Sequence, residues 1–513
     1  MDSLTVGDKR GVFARRILLA GLILVAFTAG TGGLVPRSFS DTASLDDSAG
    51  RPSGLFLEEW LAVSFLGAKI GYVHTVIQEL KGGGYLLETR AVMKLKVAGE
   101  IQITSLSEEA SFDEKMGLKG FFFRQAIGGQ GLEITGRPVS GGLQLRTRPT
   151  GGEEKITMLK GEGPIYPISS LGLVILRRGV EEGQNYQFSA LLEPLLTVVP
   201  VEINVGPMER VDLNGAKMEG FRITTTYGGF TSTSWVQEDG MTIKEVSAEG
   251  FESSRVTREE ALSFDADGLV TAERFLLATR IRSDRALEDY QRITGMTVHL
   301  EGFPSGFLPP EGSFQRLVGQ HEYYDEAGIP RKRVSLETLL PSPPGGKGNG
   351  REEAGLEYLQ DHPFLQCEHE SIARLASELT GSGEGNWVTA SAVKRWVHQN
   401  LKKEMVDSFS ALQALEAGGG ECQAHANLMT AICRAAGIPA RVVAGIVWTD
   451  QWQGFFYHAW VEIWDAGTWY PMDPTLGRET ATHIKLMDDG WSDQWRLIGV
   501  MARLKVSVKE TAY

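Results

Sequence analysis

The stretch that decides the fold is "GGGECQAHANLMTAICRAAGIPARVVAG", which runs from Gly418 to Gly445. Three glycines precede Cys422, and a mostly apolar run continues to Gly437, with Pro439 two residues later. Glycine directly after the last helical residue, followed by proline, is typical of a helix C-terminus. The stretch therefore predicts a helix that begins at Cys422 behind a sharp turn and ends at Gly437.

A cysteine at a helix N-terminus is well placed for nucleophilic chemistry. The helix dipole stabilises the thiolate and is expected to lower the pKa of Cys422. The backbone N–H of Cys422 can also donate a hydrogen bond to a developing oxyanion, and the glycines leave space around the sulfur. Taken alone, the stretch fits equally a small buried hydrophobe, which is the usual role of a lone cysteine.

A candidate base and a carboxylate follow on a predicted hairpin. "FFYHAWVEIW" places His458 in a strand, and "DAGTWYPMDPT" returns the chain through a tight turn to Asp473. A turn at Asp465-Ala466 puts His458 directly opposite Asp473, whereas a bulge at Gly467 moves the register by one. In either register the carboxylate orients the imidazole and supports its protonated form. Because a cysteine nucleophile needs such a base, the three residues predict a Cys422-His458-Asp473 triad.

Three further residues are candidate neighbours of this site. His425 lies one helical turn after Cys422, and we expect it to pack beside the site. Trp460 and Glu462 lie on the same strand face as His458, and we expect Glu462 to be solvated. A zinc site formed by Cys422, His425 and His458 is an alternative with little support, because a second Cys-x-x-Cys pair is missing. No metal and no cofactor are therefore expected.

Residues 360–480 resemble the transglutaminase-like superfamily of papain-like cysteine acyltransferases and proteases. The resemblance lies in the Gly-x-Cys helix start, the Gly-Ile-Pro-Ala-Arg turn, and the His-Ala-Trp and Asp-Pro-Thr motifs, in that order. It implies that Cys422 is the nucleophile, His458 the base and Asp473 the residue that orients the base. The backbone N–H of Cys422 would hold the oxyanion, and no second donor is identified.

The resemblance also implies acyl transfer through a thioester. The thiolate would attack an amide carbonyl, and water or an amine would then release the acyl group. Water gives a peptidase or amidase and an amine gives a crosslinking transglutaminase, and the sequence leaves both open. Protein or peptide substrates outside the cytoplasm are expected. The alternative function is a non-catalytic envelope protein whose β-region binds a ligand or partner, with the core as a scaffold.

Strand patterns dominate the chain before this core. Asn214-Gly215 between two alternating runs is a strong hairpin signal. The predicted fold class is α+β, with a papain-like core of helices packed on an antiparallel sheet, preceded by a large all-β half-barrel or sandwich. The predicted units are a basic N-terminus (1–16), an apolar segment (17–35), a linker (36–54), an antiparallel β-domain (55–265), a smaller β-module (266–340), a second linker (341–355) and the catalytic domain (356–513).

The N-terminus carries a targeting pattern. Lys9, Arg10, Arg15 and Arg16 precede the uncharged run from Ile17 to Val35, and acidic and polar residues follow. Basic residues before the run place the N-terminus in the cytoplasm, and the run is just long enough to span a bilayer. Its glycine-rich end also fits a cleaved signal peptide. We expect a single-pass protein of the bacterial inner membrane with its bulk in the periplasm, or a secreted protein after cleavage.

Charge and cysteine content limit the remaining functions. The formal net charge of −14 argues against nucleic-acid binding. The three cysteines are an odd number, so at least one thiol stays unpaired within the chain. Cys422 and Cys433 lie about 16 Å apart on one helix, which is too far for a disulfide. A disulfide between Cys367 and Cys433 is left open.

Overall fold

The structure is a computed structural model in which the chain is mostly β-structure with some helices. The predicted basic N-terminus, the apolar segment at 17–35 and most of the linker after it lie outside the described residues. The described residues are 52–97, 100–127, 130–247, 250–265, 268–326, 328–344, 355–380, 385–404, 408–488, 494–497, 499–500 and 503–513.

No helix within these ranges is long and apolar enough to cross a membrane. The longest described helix has 15 residues, whereas a membrane span needs about 20. This finding contradicts the expected transmembrane helix and the single-pass localisation built on it. The segment at 17–35, on which that expectation rested, is not among the described residues.

Fifteen strands between Pro52 and Arg255 form one sheet. From β1 the chain adds neighbouring strands out to β8 at one edge, begins again with β9 at the other edge, and returns to β15, which pairs with β1. All pairs are antiparallel except β9 with β10. The strands are β1 Pro52–Phe65, β2 Ala68–Leu80, β3 Tyr85–Val97, β4 Glu100–Phe112, β5 Leu118–Ile127, β6 Gln130–Val139, β7 Gly142–Pro149, β8 Lys155–Lys160, β9 Ile165–Pro167, β10 Asn185–Leu192, β11 Thr197–Leu213, β12 Ala216–Tyr227, β13 Phe230–Val236, β14 Thr242–Ser247 and β15 Phe251–Arg255.

The hairpin predicted at Asn214-Gly215 is confirmed. The two residues connect β11 to β12, and Leu213 pairs with Ala216. Their φ angles are +52° and +88°. Such turns need left-handed residues at both central positions, which asparagine followed by glycine supplies at low cost.

The large sheet curls around helix α1, Leu171–Arg178. Leu87 of β3 and Val199 of β11 lie many strands apart in the sheet, yet both belong to one apolar cluster with Leu173 and Val174 of α1. This curvature buries one face of the helix against the concave face of the sheet. Of the two architectures expected, one continuous curved sheet is closer to the half-barrel than to the sandwich.

A second sheet follows two short helices, α2 Arg258–Leu262 and α3 Ala272–Ala278. Its strand order is β17-β18-β16-β25. The edge strand β25 comes from the end of the chain and pairs antiparallel with β16. The last strand in the sequence, β25, therefore pairs with a strand that lies far upstream. The strands are β16 Gly295–Pro304, β17 Gln315–Tyr324, β18 Pro330–Leu339 and β25 Lys505–Ala512.

Between β18 and β25 lie four helices and a four-stranded antiparallel sheet of order β23-β22-β21-β24. The helices are α4 Glu370–Leu379, α5 Asn386–Asn400, α6 Ala411–Ala417 and α7 Cys422–Ala435. The strands are β21 Ala440–Thr449, β22 Gly454–Asp465, β23 Thr468–Met472 and β24 Ile484–Met487, and a short parallel pair consists of β19 Lys402–Lys403 and β20 Gly419–Gly420.

Helix α7 begins at Cys422, as the glycine run predicts. It ends at Ala435, and Gly437 follows with a left-handed φ of +74°. The N–H of Ile438 donates back to the carbonyl of Cys433 at 2.8 Å. This is the hydrogen bond that a glycine-terminated helix uses to satisfy its last carbonyls.

Candidate active site

Cys422 is the first residue of α7 and is only 5% exposed. The glycines before it are held in place, because Gly419 and Gly420 pair with β19 in a two-residue ladder. Backbone N–H groups of Ala459 and Gln423 donate to its sulfur. The thiol therefore lies between the start of α7 and the middle of β22.

Burial raises the pKa of Cys422 to about 12. The negative charges of Glu421 and Asp473 act in the same direction, and the N–H groups of Ala459 and Gln423 oppose them. The prediction that the helix dipole lowers this pKa is therefore wrong. The cost of desolvating the buried thiolate outweighs the stabilisation of the thiolate by the dipole. The resting group is a thiol, which needs a base before it can act as a nucleophile.

His458 lies in the middle of β22, opposite Gly445 of β21, and is 2% exposed. Its Nε2 lies 2.9 Å from Oδ2 of Asp473. Its Nδ1 has no hydrogen-bond partner among the described residues. A carboxylate at Nε2 favours the tautomer with the proton on that nitrogen, which leaves Nδ1 free to accept one. The next residue, Ala459, is the one whose N–H reaches the sulfur of Cys422.

The register of the hairpin differs from both predicted registers. Asp465 pairs with Thr468, so Ala466 and Gly467 form the turn, with φ angles of +47° and +80°. Strand β23 ends at Met472, and Asp473 lies just beyond it. The carboxylate reaches His458 from the turn after the strand, and not from a paired position within it.

Asp473 is fully buried and accepts four hydrogen bonds. Its Oδ1 accepts the backbone N–H groups of Thr475 and Leu476, each at 2.8 Å. Its Oδ2 is shared by His458 and by His483, whose Nε2 lies 3.0 Å away. Burial by itself would raise the pKa of Asp473, but the two histidines hold it well below its usual range. The group is therefore a fixed carboxylate.

His483 is the site residue that sequence reasoning missed. It directly precedes β24, and its Nδ1 accepts the backbone N–H of Thr480 at 3.1 Å. The carboxylate at Nε2 favours the tautomer with the proton on that nitrogen, which donates to Asp473. The only sequence signal was a histidine ten residues after Asp473, and no recognisable motif includes it.

His425 is completely buried and faces the backbone. Its Nδ1 lies 2.9 Å from the carbonyl oxygen of Glu421, and its Nε2 lies 3.3 Å from that of Leu401. Both ring nitrogens thus lie against backbone carbonyl oxygens, and His425 is not part of the group with metal-ligating geometry among the described residues.

Among the described residues, the group with metal-ligating geometry is His458, Asp473 and His483. Their ligand atoms lie within 4.8 Å of one another. The same atoms hydrogen-bond to one another, so these contacts already satisfy the carboxylate without an ion.

Trp460 lies on the same face of β22 as His458 and is 1% exposed. The centroid of its ring lies 6.2 Å from the ring centroid of His458, in a stacked orientation. It lies 5.3 Å from the ring centroid of His483, in an edge-to-face orientation. The indole therefore covers one side of the two imidazoles and keeps water away from them.

Glu462 is buried, so the expectation of a solvated residue is wrong. One oxygen accepts hydrogen bonds from Arg441 at 2.6 and 3.0 Å, and the other accepts one from Lys485 at 2.8 Å. Arg441 pairs directly with Glu462 across the β21–β22 ladder. Glu462, Arg441 and Lys485 form a buried ion-pair network beside the site, because these charged side chains of neighbouring strands face each other.

All three cysteines are free thiols and all three are buried. The disulfide between Cys367 and Cys433, left open by the sequence, does not form. Cys433 is fully buried in an apolar cluster with residues of α7, β21 and β22, which agrees with a packing role for that residue.

The comparisons with known proteins concern the same region. The family model of the transglutaminase-like superfamily matches residues 373–474. This range includes Cys422, His458 and Asp473, whereas His483 lies beyond it. No curated protein is significantly similar to the chain.

Three solved structures show partial similarity. A candidate cysteine protease from Cytophaga hutchinsonii is 18% identical, with a TM-score of 0.29, and the match covers 43% of this chain and 86% of that one. A β-barrel-like protein of the DUF1849 family from Brucella abortus is 14% identical, with a TM-score of 0.31, and the match covers 39% of this chain and 95% of that one. A candidate protease from Parabacteroides distasonis is 12% identical, with a TM-score of 0.19, and the match covers 77% of this chain and 70% of that one. The sequence match shows that the chain carries, in residues 373–474, a domain of the transglutaminase-like superfamily.

Proposed function

We propose that the chain is a cysteine-dependent enzyme that transfers acyl groups from protein or peptide amides to water or to an amine. Cys422 is the nucleophile, His458 the base and Asp473 the residue that orients the base. The observation that carries the proposal is the hydrogen bonding of His458. Its Nε2 lies against the buried carboxylate of Asp473, whereas its Nδ1 has no hydrogen-bond partner among the described residues. The sulfur of Cys422 accepts the N–H of the neighbouring residue, Ala459.

The proposed reaction begins with proton transfer from the sulfur of Cys422 to Nδ1 of His458. The sulfur attacks the amide carbonyl carbon, and the new oxyanion accepts the backbone N–H of Cys422. The imidazolium then gives its proton to the leaving nitrogen, the C–N bond breaks, and a thioester remains. Water or an amine, deprotonated by His458, attacks the thioester and restores the thiol.

A papain-like arrangement of α7 on the sheet belongs to the same proposal. One apolar cluster contains Met429 and Ile432 of α7 together with Val442 of β21 and Val461 of β22. Such packing supports the proposal because it fixes the start of the helix against the strand that carries His458. The nucleophile Cys422 and the base His458 are then held in a fixed position relative to the acyl group that is transferred.

The proposal is tested with the full chain and p-nitrophenyl acetate, a small activated ester that needs no specific binding pocket. Purified protein is expected to release p-nitrophenol in a burst equal to the number of active molecules, and mass spectrometry is expected to locate one acetyl group on Cys422. Addition of n-butylamine during turnover distinguishes amine transfer from hydrolysis by the products formed.

Cys422→Ala and His458→Ala are expected to abolish the burst, whereas Cys433→Ala, on the same helix, is expected to retain it. If the folded chain is not acetylated at Cys422, or if Cys422→Ala gives the same burst, the catalytic proposal is wrong. A non-catalytic scaffold then becomes the better description.

A further inference from the structure

A cavity of about 110 Å³ lies between α1 and the concave face of the large sheet, in a different part of the chain from Cys422. Its walls are largely apolar and include Leu57, Ile77 and Leu87 from the first three strands and Leu171 and Ile175 from α1. An engineered cavity of about 150 Å³ accommodates benzene, so this one has room for a somewhat smaller molecule.

Two buried glutamates line this apolar cavity. Glu59 of β1 is 3% exposed and Glu245 of β14 is 7% exposed. Glu59 accepts the backbone N–H of Thr242 at 2.9 Å, and Glu245 accepts a hydrogen bond from Ser232. No lysine, arginine or histidine is found among the described residues that line the cavity. A carboxylate at Glu245 is costly among side chains that carry no positive charge, so the lining around Glu245 is complementary to a cation.

A third polar group belongs to the same site. Thr75 of β2 pairs with Glu59 across the β1–β2 ladder and also lines the cavity. It is fully buried, and its hydroxyl oxygen has no hydrogen-bond partner among the described residues. A buried hydroxyl without a partner is uncommon in native proteins, and here it lies beside two carboxyl groups in a cavity.

Part of the cavity wall lies near the protein surface. Gly172 of α1 is exposed and lines the cavity, as do the half-buried Val180 and Gly240. Gly240 belongs to the turn that joins β13 to β14, and its N–H donates to the carbonyl of Gln237 at 3.0 Å. The turn packs against α1, since a Cβ at Gly240 would lie 2.5 Å from a methyl carbon of Leu176, and the two elements close this side of the cavity.

We propose that this cavity binds a small organic cation, a primary ammonium on a short aliphatic chain, with Glu245, Glu59 and Thr75 accepting its N–H groups. Three acceptors match the three donors of an ammonium group. The aliphatic chain would lie against the leucine and isoleucine side chains of the strands and of α1.

The proposal includes a balanced proton exchange. Burial, together with the charge of Glu59, raises the pKa of Glu245 to about 8, although the hydrogen bond from Ser232 opposes the shift. At neutral pH Glu245 is therefore protonated in the empty cavity, and it must release that proton to solvent when an ammonium binds. Because the competing proton becomes scarcer as pH rises, the ammonium should bind more tightly at pH 8 than at pH 6.

Two other buried acids lie near the end of the cavity, where Ile168 and Ser169 line it. Glu108 accepts the hydroxyl of Ser169 at 2.6 Å, and Glu193 accepts the backbone N–H of Ile168 at 3.2 Å. Burial raises the pKa of Glu108 to about 7 and that of Glu193 well above its usual range. Both side chains are acids, so neither brings a positive charge to the cavity.

The experiment is isothermal titration of the full chain with n-butylammonium, n-butanol and butyrate at pH 6 and pH 8. Each titration is run in two buffers of different ionisation enthalpy to count released protons. We expect binding of n-butylammonium alone, at least tenfold tighter at pH 8, with proton release. Glu245→Gln, which keeps the side-chain shape, should weaken binding at least tenfold, and Thr75→Val should weaken it severalfold.

Glu252→Gln is the matched control, because Glu252 pairs with Lys244 at 2.8 Å and is not among the lining residues. Thermal melts of each variant establish that the chain folds. Equal binding of n-butanol and n-butylammonium would show an apolar void without charge selection. That result, the absence of any binding heat, or unchanged binding in folded Glu245→Gln would overturn the proposal.

Discussion

The carboxylate of Asp473 organises the candidate site at the level of single residues. It accepts two backbone N–H groups through one oxygen and two histidines through the other. With four donors around it, the carboxylate has little freedom to rotate, and the ring of His458 is held with it. His483 is therefore a positioning residue in the proposed reaction, since it acts on His458 through Asp473.

Replacement of His483 by phenylalanine is expected to slow acetylation of Cys422 by roughly ten- to a hundredfold. The ring shape remains, but Asp473 loses one donor, and a hydrogen bond to a charged group is worth about 1.5–3 kcal/mol. The measurement is the rate of the p-nitrophenol burst.

His483→Gln keeps a donor near the same place and is expected to recover most of the rate. His321→Phe, at an exposed position of β17, serves as the control. Equal burst rates for His483→Phe and the unmodified chain would show that the second histidine has no role in positioning.

β21 and β24 approach each other closely at Gly445 of β21. This residue pairs with His458 on one side and with Lys485 of β24 on the other. A Cβ atom at Gly445 would overlap the carbonyl oxygen of Ile484 and lie 2.7 Å from the ring of Trp460. Only glycine lets β24 come close enough for His483 to reach Asp473.

Gly445→Ala is expected to lower the free energy of unfolding by about 1–3 kcal/mol, as overpacking of a core does. It should also slow acetylation of Cys422, because β24 and Trp460 must shift. Denaturant unfolding and the burst rate measure the two effects.

Gly306→Ala, where a Cβ would have no neighbour within 4 Å, is the control and should change neither quantity. A Gly445→Ala chain as stable as the unmodified one would contradict the close approach of β21 and β24.

The parts of the molecule are connected by contacts between distant segments. β25, at the end of the chain, completes the sheet that begins with β16. Val506 of β25 shares one apolar cluster with Leu300 of β16, Trp448 of β21 and Tyr457 of β22. Gln413 of α6 also donates to the carbonyl oxygens of Gly131 in β6 and of Thr150 just after β7, each at 3.1 Å.

A fragment of residues 356–513 is therefore expected to be poorly soluble or to melt well below the full chain. Its strand β25 would lose β16, and the apolar side of that strand would be uncovered. A fragment of residues 268–513, which keeps all four strands of the second sheet, is the matched comparison. Soluble yield and thermal melting measure the difference, and equal behaviour of the two fragments would contradict the expected dependence on β16.

Several features of the candidate site were predictable because their signals are local. The start of α7 at Cys422 depends on the glycine run directly before it, and its end depends on Gly437 directly after it. His458 was placed in a strand by its neighbours. The membrane segment at 17–35 was predicted in the same way, but no described helix can span a bilayer.

Asp473, His483 and Glu462 show what short patterns cannot determine. The hairpin register was wrong because it depends on which two residues adopt left-handed φ angles, and Ala466 gave no signal of doing so. His483 reaches the same carboxylate as His458 only after β24 pairs with β21. Glu462 is buried because cations on two other strands face it.

By itself, the sequence determined where helix α7 begins, which strand carries His458, and which three residues are candidates for a triad, since each follows from neighbours within a few positions. Only the tertiary structure decided that Cys422 rests as a protonated thiol, that two histidines share Asp473, and that the last strand joins a sheet begun some 200 residues earlier. The physical reason is that burial and charge pairing depend on segments far apart in the chain, which no local pattern specifies.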